Sequence, residues 1–123
     1  LAQARVLHPD HRFFDVPPQI PVDTVVSLAV IEHCKDASGF LRRLAALARP
    51  GGRIALTTPH PAFEFVHDSG SRIGIFSHDA SEEHEVLLDR NALFDLARAE
   101  RLEIVRYRRF LFGANQLIVL RRP

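Results

Sequence analysis

Residues 23–61, DTVVSLAVIEHCKDASGFLRRLAALARPGGRIALTTPHP, decide the fold of this chain. Residues 24–29 open it with a nearly continuous apolar run, the pattern of a strand buried on both faces of a parallel sheet. From Ser38, read as a helix N-cap, Phe40, Leu41, Leu44, Ala45, Leu47 and Ala48 follow helical spacing until Pro50, Gly51 and Gly52 interrupt it. Residues 53–58 (RIALTT) form a second short buried strand, ended by Pro59 and Pro61. Strand, helix and strand within about 30 residues make a βαβ unit, whose crossover is expected to be right-handed.

Outward from this unit the pattern stays α/β. Upstream, RFFDV (residues 12–16) reads as a short strand ending at Asp15, because Pro17 and Pro18 cannot continue a ladder. The opening LAQARVL has a helical look. Downstream, residues 60–85 mix His, Asp, Ser, Gly and Phe without a clear period, too long for a plain connector and suited to a substrate loop. Asp89 can cap a helix that turns Leu93, Phe94, Leu96 and Ala97 inward. Residues 102–112 and 115–120 then read as two strands joined at Gly113 and Ala114, an antiparallel hairpin at the end of the chain. No repeat or internal boundary divides residues 1–123, which read as one domain.

Composition narrows the classes. With 123 residues, 46% of them hydrophobic and 25% charged, the chain can bury a core and is not a disordered tail. Sixteen basic against fifteen acidic residues leave a net charge of +1, so nothing drives it as a whole towards nucleic acid or anionic lipid. The single cysteine, Cys34, excludes an intramolecular disulfide framework. The longest apolar run, residues 25–31, falls short of the roughly 18 to 20 residues of a membrane span, which fits a soluble, cytoplasmic protein. There is no methionine, so Leu1 is not expected to be the natural start.

In order, the pieces of this string resemble the second half of class I S-adenosylmethionine-dependent methyltransferases of the small-molecule kind found in quinone biosynthesis. An acidic residue closes one strand (Asp15), and an Asp-x-Val-x-Ser strand follows (Asp23, Val25, Ser27). Then come an Ile-Glu-His element (Ile31, Glu32, His33), a Leu-x-x-Leu helix, Arg49-Pro50-Gly51-Gly52 and a strand ending in Thr58-Pro59. Each piece is common, whereas their joint order and spacing are specific. The resemblance implies a Rossmann-like doubly wound, mostly parallel sheet with a C-terminal antiparallel hairpin. The family's glycine-rich loop has no counterpart among the six glycines, so the resemblance further implies that the N-terminal βαβ unit is missing and that residues 1–123 are a partial domain.

The family's sheet order, 3-2-1-4-5-7-6, makes a geometric expectation. Residues 24–29 should be paired on one side only, by residues 53–58, and RFFDV should have no neighbour. The final strand should insert beside residues 53–58, leaving residues 102–112 outermost. An open apolar edge of this kind invites self-association.

The implied activity is methyl transfer from S-adenosylmethionine to a small organic acceptor, and the implied cofactor residues are Asp15, Val16, Ser27, Leu28, Ala29 and His33. The Asp15 carboxylate would accept from the adenine amino group, although it is also an ordinary turn aspartate before Pro17. Ser27, Leu28 and Ala29 lie where ligands of open α/β sheets sit, and they are equally plain strand residues. Glu32 and His33 would stand beside the cofactor or form a structural hydrogen-bonding pair. Catalytic candidates are His60, directly after the second strand, and His84, before the last helix; either could be a base near the acceptor, and either is also an ordinary histidine.

Other clusters are read more plainly. His60, His67, His78 and His84 with their neighbouring acids lack the i, i+4 spacing of a helical metal face, so no metal is expected. Phe63, Phe65 and Phe76 could line an apolar acceptor pocket or anchor the loop. Arg106, Arg108, Arg109, Arg121 and Arg122 read as a solvated edge before a nucleic-acid surface. The rival to an enzyme is a non-catalytic Rossmann-like remnant, or a subunit whose sheet a partner completes.

Overall fold

The computed structural model describes residues 1–62 and 87–123. In chain order these form α1 (Ala2–Leu7), β1 (Val22–Leu28), a 3-10 turn (Ile31–His33), α2 (Ala37–Leu47), β2 (Ala48–Pro59), α3 (Arg90–Ala99), β3 (Glu103–Phe110) and β4 (Asn115–Arg121). One sheet has the order β1-β2-β4-β3. β1 and β2 are parallel, with Val25 opposite Ile54, and β4 is antiparallel to both of its neighbours. β1 is thus paired on one side only among the described residues, β4 inserts beside β2, and β3 is outermost, as the borrowed strand order requires.

RFFDV does not form the expected strand. Its backbone has no neighbouring strand among the described residues, and a β conformation without a ladder leaves the peptide groups to water. Arg5 Nη2 donates to Phe13 O at 3.1 Å, and the rings of His8, His11 and Phe13 cluster there. α1 buries none of its residues.

The cap of α2 is Asp36, not Ser38: the Asp36 Oδ1 accepts the Gly39 N–H at 2.8 Å. A Cβ at residue 39 would collide with that carboxylate, so the glycine makes room for the cap. Ser38, inside the first turn, donates instead to Glu100 Oε1. The cap expected at Asp89 is present, its Oδ1 accepting the Ala92 N–H at 2.8 Å.

β2 starts earlier than residues 53–58 suggested, at Ala48. Val22 faces Ala48 while Thr24 faces Arg53, so residues 49–52 bulge out of the ladder instead of ending it. Gly51 takes φ +77°, and a Cβ on Gly52 would lie 2.8 Å from Arg49 O. Arg122 brackets the bulge, its O accepting from Gly51 N and its N donating to Gly52 O. The Arg122 guanidinium also donates to Ala45 O and Ala48 O, satisfying carbonyls at the end of α2.

The core fills the side of the sheet covered by α2 and α3. Ile54 and Leu56 of β2 and Ile118 and Leu120 of β4 are at most 1% exposed, and Val25, Ile31, Leu41, Leu93, Ala97 and Leu102 join them. Arg42 and Ser38 tie α2 to the end of α3 through Glu100, whose carboxylate accepts from Arg42 Nε at 3.0 Å and Nη2 at 2.9 Å. That guanidinium, with the Ser38 hydroxyl, lowers the Glu100 pKa from 4.5 to about 2.

Candidate functional site

Parallel strands deliver their carboxyl ends to one rim of a sheet, where their exits leave a crevice. Here that rim carries Leu28 and Ala29 from β1, Thr58 and Pro59 from β2, and Asn115, which faces Pro59, from β4. Ala29 takes φ 51°, a left-handed conformation uncommon for a residue with a Cβ. Its N–H is held by Thr57 O at 3.0 Å and Thr57 Oγ1 at 3.2 Å, which fixes the turn out of the sheet.

The expected cofactor residues divide by face. Ser27 is buried on the helix-covered side with Val25, whereas Leu28 points to the opposite side and is 63% exposed. Ala29 and His33 are also exposed at this rim. Glu32 is buried, and its Oε2 accepts from the Thr58 hydroxyl at 3.0 Å. That bond ties the 3-10 turn to the end of β2 and so places the neighbouring His33. Asp15 and Val16 are exposed on the segment before β1.

His60 continues directly from β2. Its N–H donates to Ala114 O at 2.8 Å, and its Nδ1 accepts the Ala62 N–H at 3.1 Å. Burial and the positive charge of Arg109 lower its pKa from the usual histidine value, with Asp89 acting in the other direction. Arg109 is itself fixed, Nε and Nη2 donating to Gly113 O at 3.0 and 2.6 Å. That contact closes the β3–β4 turn, in which Leu111, Phe112 and Gly113 all have positive φ, a longer turn than the expected Gly113-Ala114 junction. His84, the other histidines of the loop and its phenylalanines lie outside the described residues.

Gln116 was not singled out from the sequence, yet it organises this rim. It is 0% exposed, and its Nε2 donates to Pro59 O at 2.9 Å and Leu88 O at 2.5 Å. Its Oε1 accepts from Tyr107 Oη at 2.9 Å. The Tyr107 ring packs edge-on against Phe94 at 5.7 Å, and the Arg90 guanidinium lies over both rings. One amide therefore joins the residue before His60 to the residue before the cap of α3. Its signal was readable: in NQLIVL, position 116 shares a strand face with Ile118 and Leu120, and an amide on a buried face must find partners.

The arginine cluster is spent largely on the fold. Arg121 pairs with Glu103 across the hairpin at 2.6 Å, Arg122 holds α2 and Arg109 holds its turn, which supports the reading of a solvated edge. No three His, Cys, Asp or Glu residues converge on a metal-sized site among the described residues. None of the described helices is long and apolar enough to cross a membrane.

Comparison with known proteins agrees with this geometry. Among solved structures, a possible exported protein from Bordetella parapertussis superposes with a TM-score of 0.70 at 13% identity, over 89% of this chain and 41% of that one. A methyltransferase in complex with the Trm112 methyltransferase activator of Haloferax volcanii gives 0.66 at 14% identity, over 89% of this chain and 57% of that one. The 1,6-didemethyltoxoflavin-N1-methyltransferase of Burkholderia thailandensis, solved with bound 1,6-didemethyltoxoflavin and S-adenosylhomocysteine, gives 0.61 at 16% identity, over 88% of this chain and 47% of that one. At these identities the likeness establishes a Rossmann-like methyltransferase fold, and the chain spans about half the length of these structures. A search of curated protein sequences finds no match. The family model for a methyltransferase domain matches residues 2–110, and the chain belongs to that family.

Proposed function

We propose that the chain takes part in methyl transfer from S-adenosylmethionine to a small organic acceptor, with the carboxyl ends of β1 and β2 as one wall of the site. The observation that carries this reading is the family match over residues 2–110, on a sheet that brings the carboxyl ends of the parallel strands β1 and β2 to one rim. The rim suits the cofactor chemically. Leu28 and Val30 offer exposed apolar surface for an adenine ring, and Ala29 and His33 are exposed beside them at the strand exit. Ser27 would support this wall from behind, and the exposed Asp15 carboxylate, with Val16 beside it, would accept the adenine amino group.

When bound, the cofactor supplies an electrophilic methyl group on a sulfonium. The protein's part is placement: the acceptor lone pair must lie in line with the carbon–sulfur bond, and rigid strand exits provide that order before reaction. Thr58 and Glu32 fix one exit, and Gln116 fixes the other, from which His60 projects. His60 stands on the acceptor side in this reading, together with His84. A reducing, cytoplasmic setting suits the free Cys34. Self-association through the open edge of β1 is the partner contact that the exposed ladder favours.

The test is S-adenosylhomocysteine titrated into the isotopically labelled 123-residue chain. Amide signals of Ser27, Leu28, Ala29 and His33 should move together, with half-saturation at ~1 mM, corresponding to about 4 kcal/mol of binding free energy. Such weakness is expected of a chain that carries no glycine-rich loop. Signals that stay still at these positions, or move only elsewhere, would overturn the assignment. Asp15→Ala should weaken the response by about 1 to 3 kcal/mol, through loss of a charge-assisted hydrogen bond.

A further inference from the structure

The ring of His60 is held by its own backbone. A main-chain N–H can only donate, so the contact from Ala62 N at 3.1 Å requires a lone pair on Nδ1. A neutral imidazole with its lone pair on Nδ1 carries its proton on Nε2. Adding a second proton at Nδ1 would set two donors against each other and break the contact. The nearby charges act in the same sense. Arg109 on β3 opposes a second positive charge, burial does so more strongly, and among the described residues Asp89, at the cap of α3, acts the other way. The Asp89 Oδ1 is already engaged with Ala92 N–H, and two of the three Arg109 guanidinium nitrogens are engaged with Gly113 O. His60 Nε2 and Arg109 Nη1 make no hydrogen bond among the described residues. Both are donors.

We propose that His60 acts as a hydrogen-bond donor and not as a proton acceptor, its Nε2–H and the adjacent Arg109 recognising an anionic oxygen, a carboxylate or ionised hydroxyl, on the methyl acceptor. This deepens the methyl-transfer reading and depends on it for the identity of the ligand. A base would need a lone pair facing the acceptor, and the only lone pair on this ring is committed to Ala62. The acceptor class that fits a ring N–H donor within reach of a guanidinium charge is an organic anion.

The experiment uses the 123-residue chain with nitrogen-15 in its histidines. Long-range correlations from the ring protons distinguish a protonated from a bare ring nitrogen. His60→Asn assigns the signal and retains an acceptor for the Ala62 N–H, so the local fold survives. At pH 7 the His60 ring should show a proton on Nε2 and none on Nδ1. The Nε2 signal should shift on adding benzoate and stay still with benzamide, its neutral analogue. Arg109→Gln should weaken the benzoate response by up to about fivefold, the range of a solvent-screened charge contact. A proton on Nδ1, a doubly protonated ring at pH 7, or equal responses to benzoate and benzamide would overturn the proposal. Cofactor binding has its own readout, in the amides of residues 27–29 with S-adenosylhomocysteine, so failure of the methyl-transfer reading is seen separately.

Discussion

The two faces of the sheet are built from alternate residues of the same strands, yet they have opposite environments. On one face Val25, Ile54, Leu56, Ile118 and Leu120 lie under α2 and α3. On the other, Val26 and Leu28 are 59% and 63% exposed, and Ala55, Leu117 and Val119 are only half-buried. The amino acids hardly differ in type between the two. Burial is therefore a property of what packs on a strand, and an apolar run on β1 that suits two covered faces is covered on one among the described residues.

Deleting side-chain volume tests this contrast most severely. Ile54→Ala or Ile118→Ala should cost about 2 to 5 kcal/mol, whereas Leu117→Ala or Val119→Ala should cost about 1 kcal/mol or less. Denaturant midpoints for the four variants measure both. Equal losses on the two faces would mean that the second face is covered as well.

Gln116→Leu comes next in size. It keeps the buried position filled but leaves the Tyr107 hydroxyl and the Pro59 and Leu88 carbonyls without their partner, at a cost of about 1 to 3 kcal/mol. Amide shifts at His60 and Leu88 should accompany the loss, since this amide joins those two segments. A stability loss without such shifts would restrict Gln116 to plain packing. Helix caps are smaller features of the covered face: Asp36→Ala and Asp89→Ala should each lower stability by about 1 kcal/mol.

The contact between the two covering helices is sensitive to acid. Because the Glu100 pKa lies lower in the folded chain than the ordinary 4.5, its contribution is complete above that value and is lost as pH falls towards about 2. Glu100→Gln should flatten stability over this window in a pH series of unfolding curves. His60 follows the same sign at higher pH. Its lowered pKa means that the neutral ring contributes stability above the ordinary histidine value and loses it as pH falls below, a slope that His60→Asn should remove. The smallest effect belongs to the uncovered side: Val26→Lys should leave stability within about 0.5 kcal/mol. It should also reduce any concentration-dependent association seen by light scattering, since a lysine discourages pairing at an open edge.

Residues 23–61 determined the parallel β1–α2–β2 unit by themselves, because an apolar run, a helical period and a proline-glycine interruption are local patterns. Asp89 as a cap and the closing hairpin were legible for the same reason. The order of the strands and the open edge of β1 followed from the family resemblance. The packed chain alone decided that RFFDV is not a strand, since a strand exists only with a neighbour to bond. It also decided that Asp36 outcompetes Ser38 as a cap, since that depends on which oxygen reaches Gly39 N–H while Glu100 draws Ser38 away. The site divides in the same way. Ser27, Leu28, Ala29 and His60 were marked by their places at strand ends, but the covering of the Ser27 face by the helices, the Glu32–Thr58 bond and the three-way engagement of Gln116 arise between residues far apart in sequence. A linear pattern specifies which groups are apolar or polar, and only the closed fold specifies which partners remain for the polar ones.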